Sequence, residues 1–318
     1  MKRRSMLAAP AWLALLPGCG KRADDPLTLL AADPAFTPLG PPPRGGWRTQ
    51  VDEPPQSLAD YQADQPNRPT AQRSTLVLQP LGPYPDREIL PGDLPAIAIE
   101  EEGFISYVFS PTPSRLAEFL EAFYGLPTRV EAERALIDLA PEPVRTFNHH
   151  AQFDARALLA TLATTLPEDA YSLTALMVRD LVVETPQEYA FGYGLHRERL
   201  AVVSFAQLDP LFGGRPRSPD FQRLIRERCY KLVTHEVGHT LGIGHCQEHA
   251  CVMNGIAHID ELDATPLRLC PLCLRKLLWL HPQDLRRRYA ALADHYRAND
   301  LDGEAEWAQG RLATLANP

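Results

Sequence analysis

The segment from Phe221 to His245 restricts the fold more than any other part of the chain. Its apolar positions Phe221, Leu224, Ile225, Cys229, Leu232 and Val233 share one face at 3.6 residues per turn, and His235, Glu236 and His239 fall on that same face. Such a helix turns ionisable groups toward the core, where polar groups without partners are costly. Two imidazoles four residues apart are neighbours on a helix surface, and a metal ion is the simplest partner for both. In the run His235-Glu236-Val237-Gly238-His239-Thr240-Leu241-Gly242-Ile243-Gly244-His245, Gly242 can take the left-handed conformation that ends the helix and brings His245 back as a third ligand. Three histidines leave the fourth position of a zinc ion open to water, as a catalytic site requires. Glu236 is rotated away from the metal of His235 and His239 but can reach its bound water as general base, which suits hydrolysis of peptide bonds. The competing reading is a catalytically silent, zinc-stabilised lipoprotein module that binds a peptide or protein without cutting it.

A second constellation follows at once. Cys246 abuts His245, Cys251 lies five residues on, and Cys270-Pro271-Leu272-Cys273 has the two-residue gap that metal chelation favours. Four thiolates would make a closed structural zinc site, and two disulfides are the alternative, which an oxidising compartment would favour. In either case the motif ties the turn after His245 to a helix starting near Leu272. Cys229 reads as a small buried residue on the apolar helix face.

The remaining cysteine, Cys19, belongs to a different signal. Lys2, Arg3 and Arg4 precede an uncharged stretch from Ser5 to Gly18, and Leu16-Pro17-Gly18-Cys19 is similar to a bacterial lipobox. Residues 1–18 are therefore expected to be a signal peptide, with Cys19 as the lipidation site and a lipid anchor on the periplasmic side of the cell envelope. Between Gly20 and Glu100 lie 15 of the 31 prolines, and residues 19–72 read as a Pro-rich flexible tether that deletion would leave dispensable for activity. A structural lipoprotein acting through that arm is a further reading. The net charge of −8 argues against nucleic acid as partner, because phosphate neutralisation needs concentrated positive charge.

Beyond the tether, residues 73–290 read as the catalytic domain and 291–318 as a C-terminal helical tail. Strands are expected over Ser74–Gln79, Phe104–Phe109, Ser172–Val178 and Leu200–Phe205, helices over Ser114–Tyr124 and residues 154–165, and a loop from Gly82 to Gly103. Ser218-Pro219-Asp220 predicts the start of the histidine-bearing helix, with Ser218 as capping hydroxyl. Helices alternating with strands predict an α/β fold. Asp260, Glu261 and Asp263 read as solvated loop acids, and Arg286-Arg287-Arg288 as the solvated side of a helix.

The run His235 to His245 followed by Cys246, with Cys251-Val252-Met253 and Cys270-Pro271-Leu272-Cys273, resembles the archaemetzincins, a branch of the metzincin zinc peptidases. Leu78-Gln79-Pro80-Leu81-Gly82, Met253-Asn254-Gly255 and Pro266-Leu267-Arg268-Leu269-Cys270 fit the same family. The resemblance implies an α/β metzincin-like zincin domain with a mixed sheet, a long active-site helix and a C-terminal part stabilised by a four-cysteine zinc site. It also implies two Zn2+ per chain: a catalytic ion on His235, His239 and His245 with Glu236 as general base, and a structural ion on Cys246, Cys251, Cys270 and Cys273. Met253 would form the methionine turn beneath the catalytic ion. The substrates implied are peptides or proteins.

Overall fold

Strands whose every residue is buried need cover on both faces, and two such strands lie at the middle of the main sheet. The computed structural model describes residues 36–84, 93–101, 103–140, 142–183 and 189–316. Ahead of the sheet come two short helices, α1 (Trp47–Gln50) and α2 (Leu58–Ala63). The strands are β1 (Thr75–Leu81), β2 (Ala96–Glu101), β3 (Phe104–Phe109), β4 (Thr128–Val130), β5 (Arg145–Phe147), β6 (His150–Asp154), β7 (Ala170–Met177), β8 (Asp180–Val182), β9 (Gly192–Leu195) and β10 (Leu200–Ser204). The main sheet has the order β4-β1-β7-β10-β9, parallel except for β9, which pairs antiparallel with β10 at one edge. β7 and β10 are buried throughout.

Alternation along the strands divides the core in two. Leu76, Leu78, Leu176 and Val203 pack with α3 (Pro113–Tyr124) and with the long helix α5 (Phe221–Thr240), while Val77, Leu173, Ala175 and Val202 pack with α4 (Ala155–Ala163) through Leu158, Leu159 and Leu162. α3 stops where the sequence demands it, at Gly125 with φ 67°. The chain closes with α6 (Ile259–Ala264), α7 (Pro271–Leu280), α8 (Leu285–Arg297) and α9 (Asp302–Ala316).

Four expectations need correction. Residues 36–72 are not a free tether, because their aromatic anchors Phe36, Trp47 and Tyr61 are buried against the rest of the protein. A boundary at residue 290 would cut α8 in its middle. Leu292, Tyr296 and Leu315 belong to the main core, so α8 and α9 are not a detachable tail. The expected loop from Gly82 to Gly103 contains β2, which forms a hairpin with β3. α5 begins at Phe221, and Ser218 does not cap it but hydrogen-bonds the Asp220 carboxylate at 2.6 Å. Residues 1–18 and Cys19 lie outside the described residues. Among the described residues no helix is long and apolar enough to cross a membrane.

Candidate active site

α5 is buried nearly all round over its last three turns, so each of its polar groups must be satisfied locally. Arg228 is: its guanidinium bonds both oxygens of Asp263 at 2.7 and 2.6 Å and the Leu208 carbonyl at 2.5 Å. Asp263, itself exposed and on a helix rather than a loop, is thus the counter-ion of a buried guanidinium. The helix ends in a Schellman motif. Gly242, at φ 81°, donates to the His239 carbonyl at 2.8 Å, and Ile243 N–H donates to the Gly238 carbonyl at 3.1 Å. This reversal brings His245 back over α5, as the sequence predicts.

The three imidazoles converge. Their ring centroids are 4.6 Å (His235 to His239), 4.7 Å (His239 to His245) and 5.3 Å (His235 to His245) apart, and one nitrogen from each lies within 4.8 Å of the other two. His235 Nδ1 donates to the Val252 carbonyl at 2.8 Å, His239 Nδ1 to the Ile243 carbonyl at 2.9 Å and His245 Nδ1 to the Glu53 carboxylate at 2.7 Å. Since these partners only accept, each neutral ring carries its proton on Nδ1 and presents a bare lone pair from Nε2. The Nε2 atoms of His235 and His239 stand 3.0 Å apart. Two lone pairs so close repel unless a cation lies between them, and a set of three imidazoles with fixed outer hydrogen bonds fits zinc. Burial favours the neutral form: it holds His235 down to about 3, helped by the neighbouring His245, and pushes His239 well below its usual range.

Glu236 faces the same cleft. Its Oε2 is buried with no hydrogen-bond partner, and burial alone raises its carboxyl to about 8. An orphaned acceptor beside three converging lone pairs marks a place for a polar ligand. The cleft, of about 480 Å³, is walled by Gly192, Tyr193 and Gly194 of β9, by Tyr189 and Phe191, and by Trp47 from the N-terminal arm. A larger hollow of about 1020 Å³ lies between α3, β4 and the start of α8 and contains none of these groups. Met253 is fully buried under α5, where a side chain on Gly238 would strike its sulfur. The glycine is what lets the methionine pack directly beneath the histidine turn.

Behind this site the four cysteines come together as free thiols with one sulfur each within 4.8 Å of the others, and Cys246 and Cys270 sulfurs are 3.6 Å apart. Hydrogen bonds from its neighbours hold the Cys246 thiol low, whereas burial lifts Cys251 and hydrogen bonding with Cys246 lifts Cys273. Four buried thiols can all ionise only around a cation, so this set also fits zinc.

Glu53, Gln56, Trp47 and Glu261 are the groups that sequence reasoning misses. Gln56 donates to the Gly242 carbonyl at 3.1 Å and accepts from Gly244 N–H at 3.0 Å and Lys276 Nζ at 2.9 Å. The Trp47 ring lies 4.3 Å from that of His245, and the Trp47 backbone N–H donates to Glu261 at 3.0 Å. Glu261, half-buried, therefore pins the arm. A scan for hydrophobic period cannot find such an arm, since its anchors are single aromatics at irregular spacing. The one local signal is Ser57-Leu58-Ala59-Asp60, a capping box that starts α2.

A mixed α/β fold with a buried carboxyl beside three converging histidines defines the class: a metal-dependent hydrolase. The pattern of peptidase family M54 matches residues 125–278, which include all three histidines and all four cysteines of the clusters. Archaemetzincin from Thermococcus kodakarensis is 32% identical over 168 residues, covering 51% of this chain and 86% of the relative. Archaemetzincin-2 from Homo sapiens is 26% identical over 286 residues, covering 82% and 74%. The chain belongs to the archaemetzincin family, and so to the metallopeptidases. Among solved structures, archaemetzincin from Methanopyrus kandleri aligns with a TM-score of 0.47 at 27% identity, over 68% of this chain and 99% of that one.

Proposed function

We propose that the chain is a zinc-dependent peptidase in which His235, His239 and His245 hold the catalytic ion and Glu236 is the general base. The observation that carries this reading is the pair of imidazole lone pairs 3.0 Å apart, with the unpartnered Glu236 oxygen beside them. When bound, zinc supplies Lewis acidity, polarising the scissile carbonyl and acidifying water toward neutral pH. The chain's own residues then do the rest. The Glu236 carboxylate takes the proton of the attacking water and returns it to the leaving amine, and its unpartnered oxygen in the cleft is placed for both transfers. Trp47 and Phe191 supply apolar walls to the cleft.

Cys246, Cys251, Cys270 and Cys273 would hold a second, structural zinc that fixes the turn after His245 against α7. The mutual approach of four buried thiols supports this over disulfides. Anchoring through a lipid on Cys19, with the enzyme in the cell envelope, rests on the sequence alone. Metal analysis of the purified chain tests the zinc assignment: two zinc per chain are expected, falling to one in His239→Ala, and two retained in Glu236→Gln. One zinc in the wild type would refute it.

A further inference from the structure

The three histidines are not held alike. His235 and His239 donate Nδ1–H to carbonyls of the Cys251–Met253 turn and of the helix-ending turn, both inside the segment that matches the peptidase family. His245 has left the helix and has no such carbonyl. Its acceptor is a side chain 192 residues away in sequence, from an arm outside the matched segment.

We propose that Glu53 is a positioning residue of the metal site, a carboxylate that fixes the tautomer and orientation of His245 and so makes the arm part of the catalytic centre. Glu53 Oε2 accepts from His245 Nδ1 at 2.7 Å and Oε1 from His245 N–H at 3.3 Å, so one carboxylate grips both ring and backbone. Glu53 is itself held, because its carbonyl accepts from Gln247 Nε2, two residues beyond the histidine it orients. On one side the imidazole is packed by Trp47, whose backbone N–H is anchored to Glu261. Gly255 leaves the room for that indole, since a Cβ there would strike the ring. A carboxylate on the outer nitrogen of a metal-bound imidazole raises its basicity and restrains its rotation, and loss of such a partner costs about 10–100-fold in metal affinity. The arm thus has a chemical role, which its proline-rich composition hides.

This inference rests on reading the three histidines as a metal site, and the test separates the two. The full chain, with Glu53→Ala and Glu53→Gln variants, is loaded with Co2+, and each site is titrated with a competing chelator. Thiolate-to-cobalt charge-transfer bands report the cysteine site, and the remaining d–d bands report the histidine site. Glu53→Ala is expected to weaken the histidine site about 10–100-fold with the cysteine site unchanged. Glu53→Gln, which keeps an acceptor for Nδ1–H, is expected to recover most of that loss. An unchanged histidine site in Glu53→Ala would overturn the proposal, and so would an equal loss at both sites, which would make Glu53 a general packing contact. A wild type with no cobalt at the histidines would overturn the metal reading itself, and this proposal with it.

Discussion

Gly192 on β9 approaches Glu236 so closely that a single methyl group tests what the carboxylate does. A Cβ built on Gly192 lies 2.5 Å from Glu236 Oε1 and 2.6 Å from both Cδ and Cγ, against an ordinary carbon contact of about 3.5–4 Å. In Gly192→Ala the carboxylate must retreat by about 1 Å, since three of its atoms clash at once and the strand is fixed by its ladder to β10. Overpacking of this kind costs about 1–3 kcal/mol. A positioned general base contributes about 10²–10⁴-fold, so kcat should fall at least about 100-fold with the metal content unchanged from that of the wild type. Peptide hydrolysis under saturating substrate gives kcat, metal analysis gives zinc content, and denaturant titration gives stability. In a Glu236→Ala background the clash has no partner, and the same substitution should cost less than about 0.5 kcal/mol. A kcat close to that of the wild type, or equal destabilisation in the two backgrounds, would refute the argument.

Two further outcomes follow from the fold. Gly242→Ala forces a side chain into the left-handed conformation at φ 81° and against Pro66 at 2.9 Å, so it should cost about 1–3 kcal/mol and lower zinc occupancy at the histidines but not at the cysteines; an unaltered histidine site would contradict the role given to that turn. His295 is held at about 4, by burial first and by the Arg115 charge second, with its ring 5.1 Å from Phe119 and 5.4 Å from Tyr230. Below about 6.5 the unfolded chain binds a proton that the folded chain refuses, so this contribution is full at neutral pH and is lost as pH falls toward 4. The loss is about 2 kcal/mol at pH 5, and denaturant midpoints at pH 7 and pH 5 should show a smaller drop for His295→Leu than for the wild type; equal drops would rule it out.

The chemistry of the candidate site is legible in the sequence because it is local. The spacing from His235 to His245 fixes two rings on one helix face, and Gly242 alone determines where the third must return. The strands β7 and β10 are legible for a similar reason, since runs such as Ala201-Val202-Val203 have only one economical environment. What escapes is non-local. Glu53 meets His245, and Glu261 meets Trp47, only after the chain has folded, and nothing near either acid distinguishes it from a solvated one. Arg288 escapes because its charge suggests solvent, although its guanidinium lies buried over the Phe123 ring at 4.6 Å. The arm escapes because prolines dilute its few anchors below any detectable period.

Peptidase activity is tested most directly by cleavage of a proteome-derived peptide mixture by the full chain, read by mass spectrometry, beside Glu236→Gln and a chelator-treated sample. Cuts that are abolished in both controls are expected, with zinc still bound in Glu236→Gln. Wild-type protein that is folded and zinc-loaded yet cuts no more than Glu236→Gln would contradict that activity.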